Sequence, residues 1–404
     1  MPDDRPHDRP DDRPHDRPHD RPHDRPYDLV LFGATGFTGA LTAEYLARAA
    51  GPDCRWALAG RNRAKLEEIA ARIGLPELPL LHADATDPAS LAGAARSARV
   101  VATTVGPYIA RGEPLAAACA EAGTHYADIT GEPEFVDLVF ARHHARARRT
   151  GAKLVHACGF DSVPHDLGVH FTVRQLPEGV PLRVDGYVRG GGRPSGGTVH
   201  SAVTVLARAR QSARAARERR ALEERPAGRR VRGLPGTPHR VGGWALPLPT
   251  LDPMIVARSA RALERYGPDF TYRHHVAVRT LPGALGLAAG AGALAVLAQI
   301  PPARAALLER FRPGDGPTPE QRAAGWFKVT FDGRGGGERV VTEVAGGDPG
   351  YGETAKMLGE AALCLAFDDL PETAGQTTTA AAMGEALTAR LERAGITFRV
   401  LSRR

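Results

Sequence analysis

The residues best placed to do chemistry by type and spacing are the glycines of Gly33-Ala34-Thr35-Gly36-Phe37-Thr38-Gly39. They follow an apolar run, Leu29–Phe32, and precede a stretch of helical period, Thr38–Ala50. A diphosphate held by the N–H groups at a helix start needs bare backbone there, and the last glycine lets the helix close on the strand. A glycine-rich turn without a ligand is the bland alternative, but the strand–turn–helix context favours a dinucleotide. Gly33, Thr35, Gly36, Phe37, Thr38 and Gly39 are the expected diphosphate residues. The next apolar run, Arg55–Ala59, ends in Gly60-Arg61-Asn62-Arg63, with no acid to accept from a ribose 2′-OH. Arginine there pairs with a 2′-phosphate and stacks on adenine, so the pattern points to NADP, with NAD as the alternative. Arg61 is the first choice and Arg63 the second, unless they are solvated helix-start residues. Asp84 is expected at the adenine, or else as a turn former before Asp87-Pro88. Thr104, Val105 and Gly106, ahead of Pro107 and Tyr108, leave the fourth apolar run where the nicotinamide half would lie.

These residues need a parallel sheet to position them. Strands expected at 29–32, 55–59, 78–82, 100–105 and 153–156 alternate with helices at 38–50, 64–73, 90–96 and 114–122. That alternation implies right-handed βαβ units. Beyond residue 180 the texture changes. Arg183–Arg189 alternates, Thr198–Glu224 reads as one long Arg/Ala helix, and 225–253 reads as an irregular loop rich in Pro, Gly and Arg. Phe327–Phe331 and Arg339–Val344 are expected as a hairpin, followed by helices at 352–367 and 379–394. The fold class is thus α/β with a parallel sheet, joined to a second α+β domain. The expected division is a dinucleotide-binding domain at 27–165, a substrate domain at 166–345, and C-terminal helices at 346–404 packing back on the body.

The first 26 of the 404 residues are a DRPH/DRPD repeat with proline at every fourth position. With almost nothing apolar to bury, the repeat is expected to be disordered. Its six Arg and eight Asp leave the body at +9 against +7 for the whole chain. The body's cations are overwhelmingly Arg, with Lys only at 65, 153, 328 and 356, so the charge reads as compositional and no nucleic-acid partner is expected. Cys54, Cys119, Cys158 and Cys364 form no CxxC pair, so neither a metal site nor a disulfide framework is expected. No apolar leader is visible at the N-terminus, and a cytoplasmic location is the expectation.

The motifs GATGFTG, AGRNRAKL, TVGPY, CAEAGTHYADITGE (119–132), CGFDSVPHDLG (158–168) and GDPGYGETAKM (347–357) together resemble the saccharopine dehydrogenase-like oxidoreductases. The nearest branch looks like the trans-acting enoyl reductases. The resemblance covers about 27–404 and implies a Rossmann domain, an α+β domain and NAD(P)-dependent reduction. In that branch the substrate is an acyl chain on a polyketide synthase that lacks its own reductase. One departure is the segment Gly375–Ala380, which lacks the proline that family members often carry there.

Enoyl reduction needs a donor for the developing oxyanion and a proton for the α-carbon. Tyr108 and Asp161 are the catalytic candidates, with Tyr126, Ser162 and His165 nearby in the motifs. Each has a bland alternative. Tyr108 packs without donating, Tyr126 and His125 are buried and satisfied, or Asp161-Ser162 only caps a helix. Imine reduction, as in saccharopine formation, would instead need convergent arginines for a substrate with several carboxylates. A non-catalytic lipid- or partner-binding protein on the same scaffold is the remaining alternative. The run Thr280–Ala303 has no charged residue and leaves three readings open: a buried core helix, a peripheral membrane or substrate-entry contact, or a span. Expected partners are an acyl or carrier-bound substrate, a polyketide synthase and a membrane surface through 280–303, with the protein a monomer or homodimer.

Overall fold

The computed structural model describes residues 25–191, 196–310 and 316–404, leaving aside the side chains of 196–198. The expected disordered repeat lies outside them, except for Arg25 and Pro26. Arg25 is part of the fold, and its guanidinium donates to the carbonyls of Ala95 and Ala122.

Six strands alternate with helices: β1 (Tyr27–Phe32), β2 (Trp56–Gly60), β3 (Leu80–His82), β4 (Ala98–Thr103) and β6 (Lys153–Val155), which fall on the expected apolar runs, and β5 (His125–Asp128), which the apolar pattern did not predict. They form a parallel sheet in the order β6-β5-β4-β1-β2-β3. The order reverses beside β1, where doubly wound sheets open a crevice for ligands. A seventh strand, Gly375–Thr377, joins from the C-terminal segment and pairs parallel with β6. Leu29, Val30 and Leu31 are fully buried because both faces are covered. Helices Phe37–Ala49 and Arg63–Arg72 lie on the face shared with the C-terminal helix Gly352–Phe367. Pro88–Ser97, Glu113–Ala122 and Pro133–Thr150 cover the other.

The second sheet is mixed and, among the described residues, has eight strands. Seven follow the order Thr397–Arg403, Glu338–Gly346, Trp326–Gly335, Leu182–Gly191, Asp269–Val278, Trp244–Pro247 and His239–Arg240. Arg230–Leu234 adds to Asp269–Val278 in parallel. The hairpin turns at Gly336-Gly337, both at positive φ (59° and 84°), a conformation that glycine adopts without penalty. Helix Val163–Val173 packs on this sheet, where a Cβ at Gly168 would lie 2.3 Å from the Phe331 ring.

Several elements depart from the sequence reading. The long Arg/Ala helix is two helices, Gly196–Ala207 and Ala209–Leu222, broken at Arg208. Arg208 makes a bidentate pair with Glu134, at 2.7 Å for both bonds. Residues 225–253 are not a plain loop but carry three of the strands. The C-terminal segment contributes a strand to each sheet as well as helices. Helix Leu281–Gln299 buries only Ala284 and Ala298, so the core-helix reading of the apolar run fails.

Candidate active site

A cleft of about 700 Å³ opens at the C-terminal ends of β1, β2 and β4 and runs to the second sheet. Its floor is the glycine turn. Gly33 has φ +96°, and a Cβ there would stand 2.7 Å from Val105 Cγ2. The Thr104 hydroxyl donates to the Gly33 carbonyl at 3.1 Å and ties the two loops together. At Gly39 a Cβ would come within 2.1 Å of the Gly33 carbonyl oxygen, so the helix can approach the strand only with glycine there. Gly36 is different, because a Cβ there would meet nothing nearer than the Gly33 oxygen at 3.5 Å. Its bareness serves the cleft, not the packing. Gly36 caps helix Phe37–Ala49 without a side-chain acceptor, and the first helical turn has no acid. The unpaired N–H groups and positive dipole end of that helix therefore face the cleft, a setting that fits a diphosphate.

Gly33, Thr35, Gly36, Phe37, Thr38, Gly39, Arg61, Asp84, Thr104, Val105 and Gly106 all line this cleft. Arg63 does not. It turns to Glu67, 2.9 Å away on the exposed face, and borders an adjoining recess with Thr35, Arg61, Asn62 and Lys65. Three cations thus gather where the chain has no acid to meet a ribose hydroxyl, which fits a 2′-phosphate. Lys65 had no signal in the glycine or arginine pattern. Asn62 fixes this corner by accepting from the Lys65 N–H at 3.1 Å as the cap of helix Arg63–Arg72. Asp84 is partly committed, since its Oδ1 accepts from the Thr86 N–H and hydroxyl, both at 2.8 Å.

Tyr108 lines the cleft, but its hydroxyl is not free. It donates to the Thr103 carbonyl at 3.0 Å and accepts from the Ile129 N–H at 3.3 Å. Burial, then the charge of Asp128, pushes its ionisation well above the usual phenol range. To donate to a substrate, the Tyr108 hydroxyl would have to give up a buried bond, and its ring lines the cleft beside Gly106 and Pro107. Glu132 positions it by accepting from the Tyr108 and Ile109 N–H groups at 3.0 and 2.9 Å. Tyr126 faces away from the cleft. It is fully buried and donates to Asp128, which also meets His156 Nδ1 at 2.7 Å.

Asp161 is the catalytic candidate that reaches the cleft. Its carboxylate lies against Gly131, where a Cβ would sit 3.0 Å from Oδ2. Residue 161 is open to the cleft yet walled by protein. Desolvation, with the charge of Asp252 adding, pushes its carboxyl up to about 6, against an opposing pull from His165. Ser162 caps helix Val163–Val173 in position only, since its buried hydroxyl makes no cap bond. His165 is buried behind Asp161, with Nδ1 2.9 Å from Asp252 Oδ1, and His274 Nε2 lies 3.5 Å from the other Asp252 oxygen. No motif spacing brought these three together. They form a buried polar cluster behind Asp161.

The opposite wall comes from residues that local sequence could not connect. Gly190 and Gly191 end a strand of the second sheet, and His200 and Ser201 face the cleft from helix Gly196–Ala207. Burial lowers the pKa of His200, which keeps the ring neutral, and its Nδ1 has no hydrogen-bond partner. Asp348 caps helix Gly352–Phe367 by accepting from the Tyr351 and Gly352 N–H groups at 3.1 and 3.0 Å. That turn sets the Tyr351 ring edge-on to Phe37, 4.6 Å between centroids. The GDPGYGETAKM motif is the only one of these wall elements that carried a sequence signal.

Comparison with known proteins agrees with this layout. Residues 29–155 match the family model described as the saccharopine dehydrogenase NADP binding domain. A trans-acting enoyl reductase of Mycobacterium ulcerans is 37% identical over 407 residues, covering 91% of this chain and 96% of that protein. A Mycobacterium tuberculosis protein provisionally designated a trans-acting enoyl reductase is 38% identical over 409 residues, covering 92% of this chain and 96% of that protein. Among solved structures, apo histidine-tagged saccharopine dehydrogenase (L-Glu forming) from Saccharomyces cerevisiae gives a TM-score of 0.56 at 12% identity. That alignment covers 93% of this chain and 100% of the yeast chain, a likeness of fold.

Proposed function

Because the chain belongs to the saccharopine dehydrogenase-like family of trans-acting enoyl reductases, and so is an NADP(H)-dependent oxidoreductase, we propose that it reduces a carbon–carbon double bond in a carrier-bound or lipid-like acyl substrate. The observation that carries this reading is a dinucleotide floor flanked by two walls, one holding a raised carboxyl, Asp161, and the other the neutral donors His200 and Ser201. NADPH supplies the hydride when bound. Gly36 and the helix it caps hold the diphosphate, while Arg61 and Lys65 hold the 2′-phosphate. Asp161 carries the proton for the α-carbon, because its side chain faces the cleft and its carboxyl is held above the usual carboxylate range. His200 and Ser201 offer hydrogen bonds to a thioester oxygen from the opposite wall.

Imine reduction of a substrate with several carboxylates fits this lining less well. Away from Arg61 and Asp84, the described residues of the lining offer one guanidinium, Arg111, against three acids, Glu132, Asp161 and Asp348. A polyketide synthase is the expected source of a carrier-bound chain, in keeping with the designation of the relatives as trans-acting.

The test is single-turnover oxidation of NADPH with enoyl thioesters and with amino-acid imines. The expected result is turnover of enoyl thioesters only, with Asp161→Asn lowering kcat by about 100-fold or more while leaving NADPH affinity unchanged. Turnover of imines alone, or an unaltered rate in the Asp161 variant, would overturn the assignment.

A further inference from the structure

We infer that helix Leu281–Gln299 lies in the surface of an anionic lipid bilayer and presents membrane-borne acyl chains to the cleft. The lipid contact stands on the surface alone, whereas the delivery role rests on the acyl-reductase reading above.

The surface is unusual for a soluble helix. Leu285 and Val296 are 61% and 62% exposed, and Leu281, Leu287, Leu297 and Ile300 are also exposed. Residues 285–293 are exposed without a break, so this stretch, between ends that pack at Ala284 and Ala298, is bare and apolar right round its circumference. A protein partner's groove covers one face of a helix, but hydrocarbon covers all of it. The helix has the length and composition to cross a membrane. Its roots say otherwise. It leaves strand Asp269–Val278, and the chain re-enters the same sheet at Trp326 through helix Pro301–Arg310, which carries Arg304, Glu309 and Arg310. Ten residues with three charges make a poor return crossing, so both ends stay on one side and the helix lies flat.

The flanks identify the lipid. Exposed Arg279 precedes the helix and Arg304 and Arg310 follow it, while no acid occurs between Thr280 and Ala303. Trp244 pairs with Val278 at the root, with the Arg240 guanidinium 5.7 Å from its ring. Aromatic and arginine side chains beside an apolar insert suit the headgroup level of an anionic membrane.

One helix connects this surface to the cleft. The apolar helix packs on Gly196–Ala207, the helix that puts His200 and Ser201 into the cleft. Gln299 seals the contact by donating to the Leu206 carbonyl at 2.8 Å. A chain leaving the bilayer along this helix pair meets the substrate wall without crossing bulk water.

The experiment is flotation of the full-length protein, with NADPH, on phosphatidylcholine vesicles with and without one third phosphatidylglycerol. Wild type should float with the anionic vesicles and lose at least tenfold in partition at high salt. The double variant Leu285→Glu/Val296→Glu changes only exposed side chains. It should lose at least tenfold in flotation and in turnover of a vesicle-embedded long-chain enoyl thioester, yet keep NADPH affinity and turnover of a short soluble one. Wild type that stays in solution, or a double variant that floats equally, overturns the lipid contact. So does sedimentation showing that wild type buries the helix in a dimer that the variant breaks. Equal flotation loss with unchanged long-chain turnover overturns the delivery role. Failure of the short soluble substrate with wild type would instead strike the enoyl-reductase reading.

Discussion

Gly36→Asp should separate folding from cofactor binding with opposite signs. Gly36 has φ −81° and ψ 163°, extended backbone that any residue adopts, and open space where its Cβ would stand. Aspartate there supplies the missing cap of helix Phe37–Ala49. The cap gains a few tenths of a kcal/mol over glycine, and a negative charge at the helix start adds about 0.3–1. The melting temperature should therefore hold or rise by about 1–2 °C in a chain of this size. The same carboxylate takes the N–H groups that a diphosphate would use. Losing two charge-assisted hydrogen bonds of about 1.5–3 kcal/mol each weakens NADPH binding by about 100- to 10,000-fold. Calorimetric titration with NADPH, beside a thermal melt, reads both effects. Gly39→Ala is the contrasting control. Its Cβ would sit 2.1 Å from the Gly33 oxygen and 2.7 Å from Thr104 Oγ1, so it should lower the melting temperature. A Gly36→Asp protein that binds NADPH within threefold of wild type would refute the diphosphate assignment. A Gly36→Asp protein that melts well below wild type would refute the reasoning about space at this turn.

Three further outcomes are expected. Arg61→Ala/Lys65→Ala should weaken NADPH by about 10- to 100-fold and leave NADH unchanged, since only the 2′-phosphate loses partners; equal weakening of both would remove these side chains from that role. Tyr108→Phe should cost about 1–2 kcal/mol in denaturant unfolding, because Thr103 and Ile129 lose a buried partner, with kcat within a few-fold; a hundredfold loss of turnover at unchanged stability would restore the hydroxyl to the chemistry. Burial holds the His125 ring down to about 3 and the His144 and His170 rings to about 4, all from 6.5. A base depressed in the fold contributes stability that is complete above 6.5 and is lost as pH falls towards the folded value. Unfolding free energy should drop between pH 6.5 and 4.5 by at most about 1.4 kcal/mol per unit for each ring. His125→Gln should flatten that slope, and a slope unchanged by the substitution would show that the ring is not buried neutral.

The cofactor floor was legible because its chemistry is local. Strand, glycine turn and helix lie within Leu29–Ala49, and Arg61 follows one βα unit later, so spacing alone places them. What escaped was either short or distant. Strand His125–Asp128 is four residues with polar ends, and Asp128 is buried only because Tyr126, Thr130, His156 and Ala157 bond to it. A polar residue paid off in this way by tertiary contacts gives no apolar run to read. Strand Arg230–Leu234 alternates exposure at a sheet edge amid Pro, Gly and Arg, which masks it as a loop. Tyr108 lines the cleft, and the sequence cannot show that Thr103 and Ile129 already use its hydroxyl.

The far wall shows why the substrate side resists sequence reading. The helix beginning after Asp161 is held by Asp166, whose carboxylate accepts from Ser259 at 2.5 Å and from the Thr379 hydroxyl and Ala380 N–H, both at 2.8 Å. Two stretches of chain, about 90 and 210 residues away, therefore fix the helix that follows one cleft carboxyl. The segment Gly375–Ala380, which lacks the family's proline, carries part of that lock and a strand of the first sheet, and it does not line the cleft. Its departure from the family pattern thus bears on how the two sheets are joined, and it reaches the substrate only through Asp166. Arg61 and Lys65 line their recess outside this network, so the proposed 2′-phosphate corner can be altered without touching it. The walls bearing Asp161 on one side and His200 and Ser201 on the other are assembled by contacts between both sheets, so a substitution there is felt as packing before it is felt as chemistry.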